Sequence, residues 1–407
     1  MKTKLVLALS LLLSTSGCGL FLEVATLSCG EATYKDYFSL KNVALAFSCI
    51  TGVTSGGSTS AFNVVTDTSL GASIAGNDEY AASVSGADGR LYLFSQGTQS
   101  LKKFDPTTGV SSDAITPATA PASWLAGTSL NGAYLHPNGK IYVYTFCNTG
   151  VGSGTDIILE YDPATNGVQT FGSGQFEDDG GNCIASGATM GPDGKLYLFP
   201  DGHIHVQVVD VVARTITKIG SVAAVGNHWV GGVVAPNGKV YGLPFGGTDI
   251  LEVDPRDFTV TTFGSITTGG GQKFRGAAVA PNGKIYAFPA AGSETRILEV
   301  DPNTHATQWV ATVGANWYRA TLAPSGKIFA TSQVNNDILE FDPNTYAFTV
   351  HTGSVGSAGW LSLSLATNGK LYGTSRGPTG NFLVLDPKAT NQFPVSLILS
   401  PFLNGSH

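Results

Sequence analysis

A short segment, a turn triplet ending in glycine followed by a basic residue and an apolar–aromatic pair, recurs seven times along the 407-residue chain. The clearest copies are GPDGKLY (191–197), APNGKVY (235–241), APNGKIY (280–286) and APSGKIF (323–329). GADGRLY (86–92), HPNGKIY (136–142) and ATNGKLY (366–372) are looser versions. The shared glycines Gly89, Gly139, Gly194, Gly238, Gly283, Gly326 and Gly369 are spaced 50, 55, 44, 45, 43 and 43 residues apart. Each is followed by an aspartate, usually before proline: Asp105, Asp162, Asp210, Asp254, Asp301, Asp342 and Asp386, at offsets of 16, 23, 16, 16, 18, 16 and 17. Two landmarks in fixed order at this period mark a repeat whose units complete one another's cores.

One unit divides into four strands. In the fourth, residues 229–235 are nearly all apolar and read as strand A, buried between neighbours. Residues 236–238 turn, with glycine tolerating positive φ. Residues 239–243 form strand B and 250–253 strand C. Asp254-Pro255 opens a turn, and the Thr- and Val-rich 258–263 is strand D. Seven such units predict an all-β fold, a seven-bladed β-propeller with four antiparallel strands per blade. A charged fraction of only 13 % and 52 glycines suit short strands joined by tight turns. Two segments compete to close the ring. AFNVVTDTS (61–69) resembles AFTVHTGS (347–354), a strand D, and is favoured to complete the last blade; NQFPVSLIL (391–399) is the alternative. The expected organisation is a signal peptide at 1–17, a tether and linker at 18–60, the propeller at 61–400 and a tail at 401–407.

Lys2 and Lys4 precede the nine-residue apolar run Leu5–Leu13, too short to span a bilayer and typical of a signal peptide. Thr15-Ser16-Gly17-Cys18 resembles a bacterial lipobox, with Thr15 where leucine is usual. That resemblance implies diacylation of Cys18 and attachment to a membrane through the lipid. Gly19, rather than aspartate, after the cysteine implies an outer-membrane lipoprotein, periplasmic or surface-exposed. Cys29, Cys49, Cys147 and Cys183 remain, an even number that an oxidising compartment would pair. The expected disulfides are Cys29–Cys49 and Cys147–Cys183; four free thiols are the alternative. The formal charge of −7 becomes −9 without Lys2 and Lys4, which argues against a nucleic-acid partner.

The topology puts A–B and C–D turns on one face and B–C and D–A loops on the other. Arg90, Lys140, Lys195, Lys239, Lys284, Lys327 and Lys370, each just after a repeat glycine, share the turn face with the seven aspartates. The expectation is an Asp-capped turn and a Lys–Asp pair within each blade. Function belongs on the opposite face, where the units differ. There, at the start of strand A, stand Tyr80, Leu130, Ala185, Trp229, Phe274, Trp317 and Trp360, five of them aromatic, with polar neighbours His228, Lys273, Arg275, Tyr318 and Arg319. The candidate ligand-binding set is Tyr80, His228, Trp229, Phe274, Arg275, Trp317, Arg319 and Trp360, for a glycan, peptide or protein. The competing explanation is that the aromatics pack between blades.

His203-x-His205, with His228 nearby, is a weaker candidate for a divalent metal, although no cofactor is expected. Glu177-Asp178-Asp179 could take calcium but reads first as a solvated acidic loop. GPDGKLYLF (191–199) and DPTTG (105–109) are similar to repeats of streptogramin-lyase-like and NHL-type propellers. The lyases carry a catalytic histidine and glutamate with magnesium at the channel, and their strand B ends in an acid. Here strand B ends Leu-Phe-Ser (93–95), Leu-Phe-Pro (198–200), Gly-Leu-Pro (242–244) or Ala-Thr-Ser (330–332), so no catalytic residue carries over. The expected function is recognition by a lipid-anchored envelope protein. A metal-dependent lyase or lactonase and a structural envelope component are the alternatives.

Overall fold

The computed structural model describes residues 63–67, 79–96, 98–124, 130–145, 156–177, 185, 187–222, 228–267, 271–352, 359–376 and 382–387. Cys18, Cys29, Cys49, Cys147 and Cys183 lie outside the described residues, as do residues 1–60 and 391–399. The described strands form seven four-stranded antiparallel sheets. Six are sequential meanders; in the fourth blade the strands are Trp229–Val234, Val240–Pro244, Ile250–Asp254 and Thr259–Phe263. The seventh is completed from the other end of the chain. Asn63–Asp67 pairs antiparallel with Phe382–Asp386, from Asn63 opposite Asp386 to Asp67 opposite Phe382. The N-terminal segment thus closes the ring.

The first strands of neighbouring blades touch all the way round, so strands A line the central axis. Their approach explains mid-strand glycines. A Cβ on Gly187 would stand 2.9 Å from the backbone nitrogen of Gly231, and one on Gly276 3.0 Å from that of Ala320. Strand D lies outermost and is the wettest: Thr259–Phe263 alternates exposed and half-buried residues, while strands A and B of that blade are buried throughout.

The turn face follows the repeat, with one correction. Each A–B turn glycine is left-handed, Gly89 at φ 82° and Gly238 at 79°, a conformation that costs glycine little. The C–D aspartates cap their turns: Asp105 Oδ1 accepts from the amides of Thr107 and Thr108, and Asp301 Oδ1 from Asn303 and Thr304. The expected Lys–Asp pair forms only in blade 3, Lys195–Asp210 at 3.0 Å, and more loosely in blade 7, Lys370–Asp386 at 3.7 Å. In blades 2, 4, 5 and 6 the lysine instead reaches a glutamate two residues before the aspartate. Lys140 meets Glu160 at 2.5 Å, Lys239 meets Glu252 at 2.6 Å and Lys327 meets Glu340 at 2.5 Å, with Lys284 on Glu299. The reason lies in strand C. Blades 3 and 7 have Val208 and Val384 at that position, leaving the capping aspartate as the nearest acid. Blade 1 has Lys103 there, and Arg90 turns to Asp88.

The strand C position also sets contacts between blades. Four residues after the aspartates of blades 1 to 6 the chain is left-handed, at Gly109, Asn166, Arg214, Phe258, His305 and Tyr346. From Asn166 on, that side chain meets the preceding blade. Asn166 accepts from Lys103, Arg214 donates to Glu160, His305 joins Glu252 at 2.7 Å and Tyr346 donates to Glu299. Phe258 follows the blade with Val208, and Lys195 lies over its ring. Polar side chains thus meet at four of these blade junctions, and a cation meets an aromatic ring at the junction of blades 3 and 4.

Candidate functional site

On the opposite face the first strands do not run straight. Register shifts between Tyr80 and Ala82, Asn131 and Ala133, Trp229 and Gly232, Phe274 and Gly276, and Trp317 and Arg319 mark a bulge near the start of strand A in five blades. A bulge adds a residue to one strand and re-aims the side chains around it. In blades 5 and 6 the extra residues are Arg275 and Tyr318.

The aromatic residues before the bulge are interior. Tyr80, Trp229, Phe274, Trp317 and Trp360 expose at most 4 % of their surface, and all but Tyr80 share one core cluster that runs across blades. The indole of Trp229 donates to the carbonyl of Asp249 at 2.6 Å, and that of Trp317 to Gly314 at 3.1 Å. Phe274 lies 5.9 Å from the ring of Trp309. Their placement follows the packing alternative, so a ligand reaching this face would meet their neighbours.

Those neighbours form a polar mouth. Tyr318 lies between two guanidinium groups, with Arg275 and Arg319 each 4.5 Å from its ring centroid; Arg275 is also 5.5 Å from Phe245. Arg319 is buried and crosses the axis. Its Nε donates to Leu361 O in blade 7 at 3.0 Å, and its Nη2 to Ala81 O in blade 1 at 3.4 Å and Asn131 Oδ1 in blade 2 at 3.1 Å. One side chain from blade 6 therefore ties three further blades together and crosses the channel at this depth. Tyr144, paired with Asn131, is fully buried with no hydrogen-bond partner for its hydroxyl among the described residues. Burial drives its pKa up, and the fields of Arg319, Tyr318, Arg275 and Asp201 all reach it. Lys273 is buried too, donating to Gly247 O at 2.8 Å, and burial alone pulls its pKa down. Sequence reasoning singled out Arg275 and Arg319. It missed Tyr144, which stands on strand B and reaches the mouth only through its pairing, and Asn131 and Asp201.

The rim is stitched by backbone. Phe245 N donates to His228 O, Lys273 N to Phe245 O, Ala290 N to Lys273 O, Asn316 N to Ala290 O, and Gln333 N to Asn316 O. These five bonds alternate within and between blades 4, 5 and 6, and fix the loops that carry Lys273 and Arg275.

The three histidines do not assemble. His203 and His205 lie in a bend before strand C (Val206–Asp210), so strand alternation does not align them. His205 Nδ1 is 2.9 Å from Glu177 Oε1, while His203 is buried. His228 stacks on Trp229, centroids 3.7 Å apart, and is so close under its own B–C loop that a Cβ on Gly247 would stand 1.7 Å from its ring. Among the described residues no three His, Cys, Asp or Glu side chains are grouped to hold a metal ion. His203, His205 and His228 are thus not grouped with one another among the described residues, nor do they fit the magnesium site that the lyase resemblance implies. Of the acidic loop, Asp178 and Asp179 lie outside the described residues, and Glu177 is engaged with His205.

No family model and no curated protein matches this chain. Solved structures do. Virginiamycin B lyase from Staphylococcus aureus is similar with a TM-score of 0.64 at 10 % identity, over 81 % of this chain and 100 % of that one. A streptogramin B lyase gives 0.62 at 11 %, over 80 % and 97 %. The extracellular domain of a putative one component system from B. thetaiotaomicron gives 0.58 at 12 %, over 82 % of this chain and 43 % of that one. At such identities the likeness is one of fold: the chain is a seven-bladed propeller on the scaffold of the streptogramin lyases.

Proposed function

We propose that this is an exported recognition protein, anchored to the outer membrane through lipid on Cys18, which binds a glycan, peptide or protein partner at the mouth formed by its B–C and D–A loops. The observation that carries this reading is the difference between the two faces. The turn face repeats one device blade after blade and uses its charges internally. The loop face varies from blade to blade: a bulge that five blades share presents Arg275 and Tyr318 in blades 5 and 6, beside a rim held by inter-blade backbone bonds. Pre-organised polar groups of this kind serve binding. The extracellular domain among the similar structures agrees with export.

A lyase or lactonase activity is the second reading, favoured by the likeness to the streptogramin lyases. One experiment separates the two: thermal unfolding of the chain from Gly19 with panels of divalent metals and of envelope and host glycans. Ligands of the folded state raise the midpoint by mass action. A glycan-dependent rise supports recognition. A metal-dependent rise, abolished by EDTA, overturns it in favour of an enzyme.

A further inference from the structure

All seven arginines of the chain are described, and they divide by whether a carboxylate meets them. Arg90, Arg214 and Arg256 each pair with a carboxylate on the turn face, at 2.9, 3.2 and 2.7 Å, and Arg296, on the loop side of blade 5, pairs with Glu294 at 2.8 Å. Arg275, Arg319 and Arg376 pair with none among the described residues. All three stand on the loop side, in blades 5, 6 and 7. Arg275 rests against aromatic rings, Arg319 donates to neutral oxygens only, and Arg376 Nη1 is 3.5 Å from Gln333 O. Arg376 is exposed and Arg275 half-buried, so both are open to solvent. In the same sector the Lys273 ammonium has only the carbonyl of Gly247 among the described residues. A planar guanidinium with unused donors matches an oxyanion in two-pronged geometry.

The loops around these groups carry the amides Gln272, Asn316 and Gln333 at the ends of strands in blades 5 and 6, all exposed or half-buried. Paired donors and acceptors of this kind suit sugar hydroxyls. The acids on this side of blades 5 and 6 are engaged, Glu294 with Arg296 and Asp337 with Asn335, and Asp201 belongs to blade 3.

We propose that the mouth binds an acidic saccharide, with Arg275 and Arg376 receiving its carboxylate or sulfate and Arg319 supplying a fixed positive field beneath. This rests on the recognition reading above and names the ligand class for it.

The test is binding of the full chain in detergent to three matched probes: a trigalacturonate, its methyl ester and a sulfated trisaccharide, with a neutral glycan array alongside. Binding of an acidic probe at least about tenfold tighter than the neutral ester is expected, weakening as salt rises. Arg275→Gln and Arg376→Gln should each weaken it about tenfold, and Arg256→Gln on the turn face should not. The carboxylated and sulfated probes then tell which oxyanion is preferred. Equal affinity for acid and ester, or neutral glycans alone binding, overturns the acidic class and leaves the recognition reading standing. Acidic binding untouched by both arginine variants overturns the site. No binding by any probe or array glycan overturns the acidic-saccharide proposal and removes the glycan from the recognition reading.

Discussion

Blade 3 shows how the chain replaces a buried carboxylate, and blade 4 can be rebuilt to its plan. Glu252 accepts from Lys239 at 2.6 Å, Tyr241 OH at 2.7 Å and His305 Nε2 at 2.7 Å. Its side chain is 5 % exposed, but those of Lys239 and His305 are 27 % and 43 % exposed. Glu252→Val therefore leaves two donors that can turn to water, each worth about 0–1 kcal/mol. Tyr241 loses a bond to a charged acceptor, about 1.5–3 kcal/mol, but keeps Asn237 and the carbonyl of Pro302. The expected loss is about 2–4 kcal/mol, at or below the 3–5 typical of breaking a fully buried pair.

Blade 3 holds the equivalent three positions as Asp193, Val208 and Phe258. There Tyr197 OH donates to Asp193 at 2.9 Å, Lys195 pairs with Asp210 at 3.0 Å, and Phe258 takes the left-handed turn position at φ 61°. The triple variant Asn237→Asp, Glu252→Val, His305→Phe gives Tyr241 a new acceptor in the turn and lets Lys239 fall back on Asp254. His305 already sits at φ 60° and stacks on Phe263 at 4.0 Å, so an aromatic ring fits. Urea unfolding followed by tryptophan fluorescence should place the triple variant within about 1 kcal/mol of the parent, with an unchanged m-value. A triple variant no more stable than Glu252→Val alone would refute the idea that the three positions form one exchangeable set.

Acid should act on the same face. Glu252 and Glu299 are buried and Glu340 half-buried, which alone would raise their pKa values, yet the donors around them outweigh burial and hold them low. Turn bonds or an arginine do the same for Asp105, Asp210, Asp254 and Asp301. A carboxylate held low when folded stabilises fully above its unfolded pKa, about 4, and loses that as pH falls through the folded value. His136, lowered by burial, adds a shallow decline once pH falls below about 6.5, while Asp193, raised by burial, opposes the carboxylates weakly. The urea midpoint should therefore fall steeply only below about pH 4.5; a steep fall already at pH 6 would put the histidines in command. Deleting residues up to Asp67 removes the outer strand of blade 7 and leaves Phe382–Asp386 unpaired on that side. Limited proteolysis should then cut first in blade 7, and an unchanged cleavage pattern would show that another segment can close the ring.

The repeat was legible because its landmarks are backbone requirements: a left-handed glycine and a capping aspartate cannot be exchanged freely, so they survive in all seven units. The strand C glutamates were hidden because an acid within an apolar strand looks like an exposed residue. Only the structure shows that Glu299 is buried under Lys284, Tyr286, Tyr346 and Gln308. The mouth was half legible. Arg275 and Arg319 stood out as irregular neighbours of a regular aromatic position, but the period-two rule says nothing of a bulge. The bulge leaves Trp317 in the core and brings Tyr318 between the two arginines.

The pairing of charges on the turn face follows from the repeat itself. A turn copied seven times brings its lysine and its acids together each time, so a chain that is acidic overall can spend basic residues there without creating a positive surface. Outside the turns Arg296 takes Glu294, whereas Arg275, Arg319 and Arg376 meet no carboxylate among the described residues. Arg275 and Arg319 are held by an aromatic ring and by carbonyls, contacts that fix a guanidinium without neutralising it. Burying Arg319 unneutralised costs more than burying a paired ion, and a purely structural crosspiece could be built from a neutral amide. Retaining a charge there, beside the half-open Arg275, is what a site needs if its ligand is to supply the missing anion.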